Sequence, residues 1–387
     1  MTTRAIVNIG ELITNDPTVG DETLLGRLSN AAMVVNDQRV LWVGPGDQVP
    51  DADEQFDADG GAVIPGFVDS HTHLVFAGER SSEFEARMRG ERYDGGGIGR
   101  TVAATREANR GVLHEATLRR VRELRASGVT TMEIKSGYDL TVDGEARLVS
   151  VAREFSDEVT FLGAHSLAPE YVNDRGRYLE LVTGPMLDAC ARDARWIDVF
   201  CDRGAFDVDE ARHVLEAGLR ADLELRLHGN QLGDTGGVAL AVELDAASVD
   251  HCTFVNDADL EALSNSNTVA TLLPGAEFFT QSPYPSMRRF LDAGVTVALA
   301  TDCNPGSSYV TSMPLILMLA MREMGATFDE ALWAATCGGA QALRRDDIGH
   351  LSVGARADFC VLNAPRAVHL AYRPGGMVVE RVFSAPH

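Results

Sequence analysis

The chain has 387 residues, 45% of them hydrophobic, and a formal net charge of −23. No basic patch interrupts that charge, which argues against a nucleic-acid partner and leaves a small-molecule substrate; no apolar run, Met313 to Met321 included, is long enough to cross a bilayer. Six cysteines without a CxxC pair argue against a zinc ribbon or a disulfide framework.

Residues 4–64 read as short strands separated by turns: AIVNIGELIT, then AAMVVNDQRVLWVG with a hairpin turn at Asn36-Asp37, then the Asp- and Gly-rich DADEQFDADGG. The opening MTTRAIVNIGELIT shows no basic start followed by an apolar stretch, so a cytoplasmic protein is expected. From residue 65 apolar runs alternate with amphipathic helical stretches, the pattern of βα units and a parallel sheet. Eight such runs follow one another: VIPGFVDSHTH, VTTMEIKSG, VTFLGAHS, WIDVFCD, LELRLHGN, AASVDHC, TVATLLPG and VTVALATDCN, each apolar first and polar at its end. Eight units close an α/β fold of the (β/α)8 TIM-barrel type, with its chemistry at the C-terminal ends of the strands. The Gly-rich YDGGGIGR, residues 93–100, has Arg100 where a dinucleotide fingerprint needs glycine, and reads as a loop that closes over a ligand. Beyond residue 344, GHLSVGARADFCVLN and GGMVVERVFSA add two or three strands. Neither chain end can bury a core alone, so residues 1–64 and 345–387 are expected to join in one small β-sandwich domain, leaving 65–344 as the barrel.

VDSHTHLVFAGER sets two of the ten histidines one residue apart. Side chains at i and i+2 of a strand share a face, so His71 and His73 project together at the barrel mouth. His165, His228 and His251 end the third, fifth and sixth runs, and Asp302 ends the eighth. Three imidazoles and a carboxylate satisfy the ligand preferences of zinc, with a water at the open position; imidazole also suits iron or nickel. His114 and His213 fall in helical stretches and His350, His369 and His387 near the C-terminus, where solvated or packed roles are expected. Lys135, in EIKSGYDL, is the only lysine among 34 basic residues and so points to a local role. The arginine bias beside an acid excess suits a salt-rich cytoplasm or reflects base composition.

PGFVDSHTHLVFAGER, VTTMEIKSGYDL, FLGAHSLAPEY, IDVFCDRGAF, LHGNQL, VDHCTF, LLPGAEFF and TDCNPGSS resemble the amidohydrolase superfamily over nearly the whole chain. EIKSGY, LLPGAEFF and TDCNPGSS resemble in particular its branch that opens imidazolone propionate to N-formimidoyl-glutamate in histidine degradation. The resemblance implies that His71, His73, His228 and Asp302 hold one divalent ion, zinc or iron. It implies further that Arg80 offers a fork to the propionate, and that Tyr138, His165, Gln231, Asn304, Gly306 and Ser307 contact substrate or product. Asp302, with His251 second, would carry the proton to the leaving nitrogen, and His251 or His165 would stabilise the carbonyl oxygen. Arg87 is expected to be a solvated helix residue. The superfamily's bridging lysine comes from the fourth strand, whereas Lys135 ends the second, so one ion is expected and Lys135 orients a carboxylate or holds the turn containing Tyr138. Some members carry a glutamate where this chain has Gln231 and an acid where it has Asn230; neither amide accepts a proton at accessible pH. Barrels of this size commonly pair, which implies a homodimer. Two other readings stay open: a mononuclear deaminase acting on a guanine- or cytosine-type base, against which Arg80 and EIKSGY speak, and a non-catalytic scaffold, against which the full ligand set speaks.

Overall fold

The structure, a computed structural model, describes residues 2–90 and 97–385. Residues 93–96 of the expected Gly-rich loop lie outside the described residues, and Ile98 opens a helix, Ile98–Glu107, where that loop was expected to continue. The chain divides into two compact units, one from Met1–Asp69, Glu123–Thr131 and Ser312–His387, the other from Ser70–Arg122 and Met132–Thr311.

In the first unit a mixed seven-stranded sheet joins both chain ends, as expected of the β-sandwich element. Its order is Val379–Phe383, Phe359–Leu362, Val63–Pro65, Arg4–Ile13, Arg27–Val35 and Val40–Pro45, with Glu54–Asp57 also paired to Arg4–Ile13. The hairpin turn forms where expected, because Asn36 Oδ1 accepts the N–H groups of Gln38 at 2.9 Å and Arg39 at 2.7 Å. Ile6 and Ile9, three apart, would face opposite sides of a regular strand. A register shift between them, with Asn8 at φ 53°, turns both into the core beside Met33, Val40 and Phe359. The first apolar run serves two sheets. Pro65 has no N–H, and Gly66 N–H bonds to Asp358 O at 2.9 Å; Val63–Pro65 therefore ends in the mixed sheet, while Phe67–Asp69 pairs with Val129–Met132.

In the second unit seven parallel strands run in the order Ile134–Lys135, Val159–Ala164, Trp196–Cys201, Glu224–Gly229, Ser248–His251, Val269–Leu272 and Val297–Leu299. Val159–Ala164 and Val269–Leu272 are buried throughout, which is why they read as unbroken apolar runs rather than alternating ones. Residues 70–73 join the two edges: Thr72 bridges Cys303 in parallel, His73 N–H donates to Cys303 O at 3.0 Å, and Lys135 N–H donates to Thr72 O at 2.9 Å. The sheet thus closes as a TIM-type barrel. Helices such as Val208–Arg220 and Asp257–Ser264 return the chain between strands, each started by a reciprocal capping box, Asp207 with Glu210 and Asn256 with Asp259. The strand ends carrying His73, His165, His228, His251 and Asp302 consequently gather at one mouth.

Candidate metal and substrate site

His71, His73, His228 and Asp302 meet with their polar atoms inward and almost no exposure. His73 Nε2 lies 3.2 Å from Nε2 of His71 and 3.2 Å from Nε2 of His228. Asp302 Oδ1 lies 3.5 and 3.6 Å from the same nitrogens of His71 and His73. Ligands about 2.0–2.1 Å from a tetrahedral ion stand roughly 3.3–3.4 Å apart, so these spacings are those of a coordination shell. The tautomers agree. His71 Nδ1 faces Asp250 Oδ2 at 2.7 Å and His228 Nδ1 faces Asp198 Oδ1 at 3.0 Å. A carboxylate only accepts, so both rings carry their proton on Nδ1 and turn Nε2 lone pairs toward one point. Burial holds the pKa values of His71 and His73 well below the ordinary range, which keeps them in the neutral form a metal requires. His251 stands beside them, its ring 5.5 Å from that of His228 and 5.8 Å from that of His71, with a buried Nδ1 that has no hydrogen-bond partner among the described residues. His251 and Asp302 both hold positive φ, 81° and 50°, backbone strain of the kind that collects at functional sites.

Behind the histidines lies a wholly buried charge network. Lys135 Nζ is 2.8 Å from Asp198, 2.9 Å from Glu133 and 3.9 Å from Asp250, and Arg226 Nη2 is 3.3 Å from Asp250. Glu133 also accepts from Thr72 N–H at 3.1 Å and pairs with the Thr160 hydroxyl. The expectation that Lys135 orients a carboxylate describes this arrangement, and the carboxylates it orients are those that fix the histidine tautomers. Counted as ionised, Glu133, Asp198, Asp250 and Asp302 exceed Lys135 and Arg226 by two negative charges, the deficit a divalent cation fills.

A cavity of about 380 Å³ opens onto the cluster. Of the residues singled out from the sequence, His73, Arg80, Tyr138, His165, His228, Gln231, His251, Asp302, Asn304 and Ser307 line it. His71 sits behind the others, and Gly306 turns its carbonyl away to accept from Arg87 Nη2 at 2.7 Å. Arg87 is therefore buried, not solvated as expected: the short helix Ser81–Met88 directs it inward onto the turn after the last strand. Asn304 braces that turn, its Oδ1 accepting Gly306 N–H at 2.8 Å and Ser307 N–H at 2.7 Å while its Nδ2 donates to Asp302 O at 2.8 Å. Arg80 Nε and Nη2 both donate to Glu83 Oε2, at 3.0 and 2.6 Å. His165 donates from Nδ1 to Gly137 O at 3.0 Å, and its ring stacks on His73 and lies 5.1 Å from that of Tyr138. Burial lowers the His165 pKa to about 3. Gly137, at φ 104°, permits this contact, since a Cβ there would lie 2.8 Å from Leu162 O and 3.0 Å from the His165 ring. Asn230 holds its loop through Phe254 O at 2.8 Å, and neither it nor Gln231 brings a carboxylate.

Several contributors escape a reading that looks only for histidines. Glu145, wholly buried, accepts the N–H groups of Gly137, Asp139 and Leu140 at 2.7, 2.8 and 2.7 Å, and so shapes the turn that presents Tyr138. Asp202 accepts Gln231 N–H at 2.6 Å and Leu232 N–H at 2.8 Å, tying the loops after the fourth and fifth strands together. The available signal for Asp198, Asp250 and Glu133 was an acid inside an otherwise apolar strand, a placement that demands a partner.

A family model described as "Amidohydrolase family" matches residues 62–385. The imidazolonepropionase of Mycolicibacterium smegmatis is 59% identical over 383 residues, covering 99% of this chain and 96% of that protein. Those of Streptomyces griseus and Salinispora arenicola are 56% and 59% identical, each over 99% of this chain and 98% of its own length. Among solved structures, a mutant atrazine chlorohydrolase from Arthrobacter aurescens, complexed with zinc and atraton, superposes with a TM-score of 0.73 at 17% identity over 98% of this chain and 93% of that one. An ochratoxinase from A. niger gives 0.70 at 18% identity over 99% and 94%.

Proposed function

Because this chain belongs to the amidohydrolase family, and within it matches imidazolonepropionases at high identity over almost its full length, we infer that it hydrolyses the cyclic amide of 4-imidazolone-5-propanoate to N-formimidoyl-L-glutamate in histidine degradation. The observation that carries the reading is the convergence of three imidazole nitrogens and one carboxylate oxygen at coordination spacing on the floor of a polar cavity.

A divalent ion, zinc or iron, held by His71, His73, His228 and Asp302 would polarise the ring carbonyl and acidify a water beside it. Asp302 is assigned the proton: its carboxylate takes it from the attacking water and delivers it to the ring nitrogen as the carbon–nitrogen bond breaks. His165 uses its N–H on Gly137 O, which leaves Nε2 as an acceptor, so donation to the developing oxyanion falls to His251 and His165 accepts from the substrate. Tyr138, Gln231, Asn304 and Ser307 bound the ring, with Gln231 confined to orienting. Residues 1–64 with 345–387 are read as the sandwich domain and 65–344 as the barrel domain, in a cytoplasmic homodimer. Among the described residues no helix is long and apolar enough to span a membrane.

Purified protein incubated with imidazolone propionate should consume its ultraviolet absorbance and release N-formimidoyl-glutamate. Absence of turnover with metal supplied, or turnover of guanine or cytosine in its place, refutes the assignment.

A further inference from the structure

Resting on that reading for its effect on turnover, we propose that Arg120 is a positioning residue: from behind the cavity it clamps loops of the barrel mouth together and so sets substrate affinity. Arg120 lies on the helix Arg110–Ala126 and is wholly buried. Among the described residues no acid pairs with it. A buried guanidinium without a carboxylate is costly, so its compensation must come from the groups it holds. Those groups all belong to mouth loops. Nη1 donates to Leu74 O at 2.7 Å and to Phe76 O at 3.1 Å, and Nε donates to the Tyr309 hydroxyl at 3.2 Å. The guanidinium carbon also stands 3.4 Å from the centre of the Phe76 ring, a cation–π contact.

Each contact leads toward the site. Leu74 and Phe76 follow His73 and open the loop that carries Arg80. Tyr309 follows the turn after the last strand, which Asn304 N–H closes on Ser308 O at 2.8 Å and which brings Asn304 and Ser307 to the cavity. The Phe76 ring meets that of Tyr309 edge-on at 5.9 Å and that of Tyr138 edge-on at 6.0 Å. One cation therefore ties the loop after the first strand to the turn after the eighth, where the barrel closes, and supports Tyr138 through Phe76. The metal-ligating positions are fixed separately by the backbone, His73 N–H to Cys303 O and Asp302 N–H to His71 O, each at 3.0 Å. Losing Arg120 should loosen the substrate contacts and leave the ligand set in place.

The test compares metal-loaded parent with Arg120→Met, Arg120→Lys, Tyr309→Phe and the Arg120→Met, Tyr309→Phe double variant. For imidazolone propionate, KM should rise about tenfold in Arg120→Met while kcat and bound metal stay within about twofold, the pattern of lost binding contacts. Arg120→Lys keeps the charge and donors for the two carbonyls, and should recover part of the loss. Tyr309→Phe deletes only the hydroxyl; it should raise KM about two- to threefold in the parent and leave Arg120→Met unchanged, because the interaction is already gone there. Hydrogen exchange, which needs no turnover, should quicken over residues 74–80 and 304–309 in Arg120→Met and stay parental over the strand Glu224–Gly229. A parental KM in Arg120→Met, a Tyr309→Phe effect equal in both backgrounds, or parental exchange in the two loops overturns the inference. Joint loss of substrate affinity, kcat and metal overturns it too, since that marks a role in the fold alone. If Arg120→Met does not fold, Tyr309→Phe decides, and parental KM with parental exchange over 304–309 refutes the clamp. A parent that does not open imidazolone propionate fails the functional reading instead, and the exchange comparison still decides whether Arg120 holds the loops.

Discussion

Replacing Asp250 by asparagine isolates what the buried charge behind His71 contributes. A single oxygen of Asp250, Oδ2, stands 2.7 Å from His71 Nδ1 and 3.3 Å from Arg226 Nη2. The amide oxygen of asparagine fits the same place and accepts from both, so the ring keeps its tautomer and direction while the charge is lost. Two consequences follow from the geometry. His71 loses the anion that raises its basicity as a ligand, and Lys135, 3.9 Å away, keeps Glu133 and Asp198 but loses its third carboxylate. Mutating the outer partner of a metal-ligating imidazole weakens metal binding by about 10- to 100-fold, or about 1.4–2.7 kcal/mol, and here the change is the loss of its charge. Competition between Asp250→Asn and a chromogenic chelator, beside the parent at one pH, reads this directly. Circular dichroism confirms that the fold persists. At saturating metal, turnover should return to within about tenfold of the parent, because His71, His73, His228 and Asp302 are all intact. A metal affinity within about twofold of the parent would refute the view that this carboxylate tunes the ligand.

Asp302→Asn should retain the fold, bind metal more weakly and lose at least about 100-fold in kcat; a variant that holds metal and turns over at a near-parental rate would remove Asp302 from proton transfer. Glu145→Gln replaces an acceptor of three backbone N–H groups with one that keeps a single acceptor oxygen, and should cost about 1–3 kcal/mol in denaturant unfolding while raising KM through Tyr138. Burial raises the pKa of Glu277 from an ordinary 4.5 to about 7, against the Thr253 hydroxyl bonded to it at 2.7 Å. A folded pKa above the unfolded one means that stability falls as pH rises between those values. Glu277→Gln keeps the acceptor and is neutral throughout, so it should match the parent below the lower value and exceed it above the higher one by up to about 3 kcal/mol. Urea midpoints on either side of this window check it, and parallel pH profiles for the two proteins would contradict it. Stripping the protein with a chelator should abolish turnover and lower Tm, and adding zinc or iron should restore both.

How far the sequence could be read followed from which interactions leave a local trace. The eight barrel runs were legible because parallel strands buried on both faces become unbroken apolar stretches, whose polar last residues point to one mouth for His73, His228 and Asp302. Two other features were not legible. The break at Gly66 depends on hydrogen bonding to Asp358, almost three hundred residues away, and the inward turn of Arg87 depends on the Gly306 carbonyl. Neither partner leaves a periodic mark. Arg80 lines the cavity where its fork was expected, and Glu83, three residues along its own chain, accepts from its Nε and Nη2, a local contact that the sequence did not announce. Asp198 and Asp250 lie between these cases, since an acid within an apolar strand announces that it has a partner without naming it.

The solitary lysine follows from the same physics. Surface positions accept arginine freely in a chain whose 34 basic residues include one lysine. At residue 135 the demand differs: one cation must reach Asp198 and Glu133 at 2.8 and 2.9 Å, with Asp250 at 3.9 Å, inside a space that excludes solvent. An ammonium is a compact point charge with three donors disposed around it, and suits that grouping. A guanidinium spreads its charge over a plane and carries donors that the pocket would leave unmet. The cation that remains lysine is thus the one held between the acids that orient His71 and His228, and its identity is set by the spacing those histidines need.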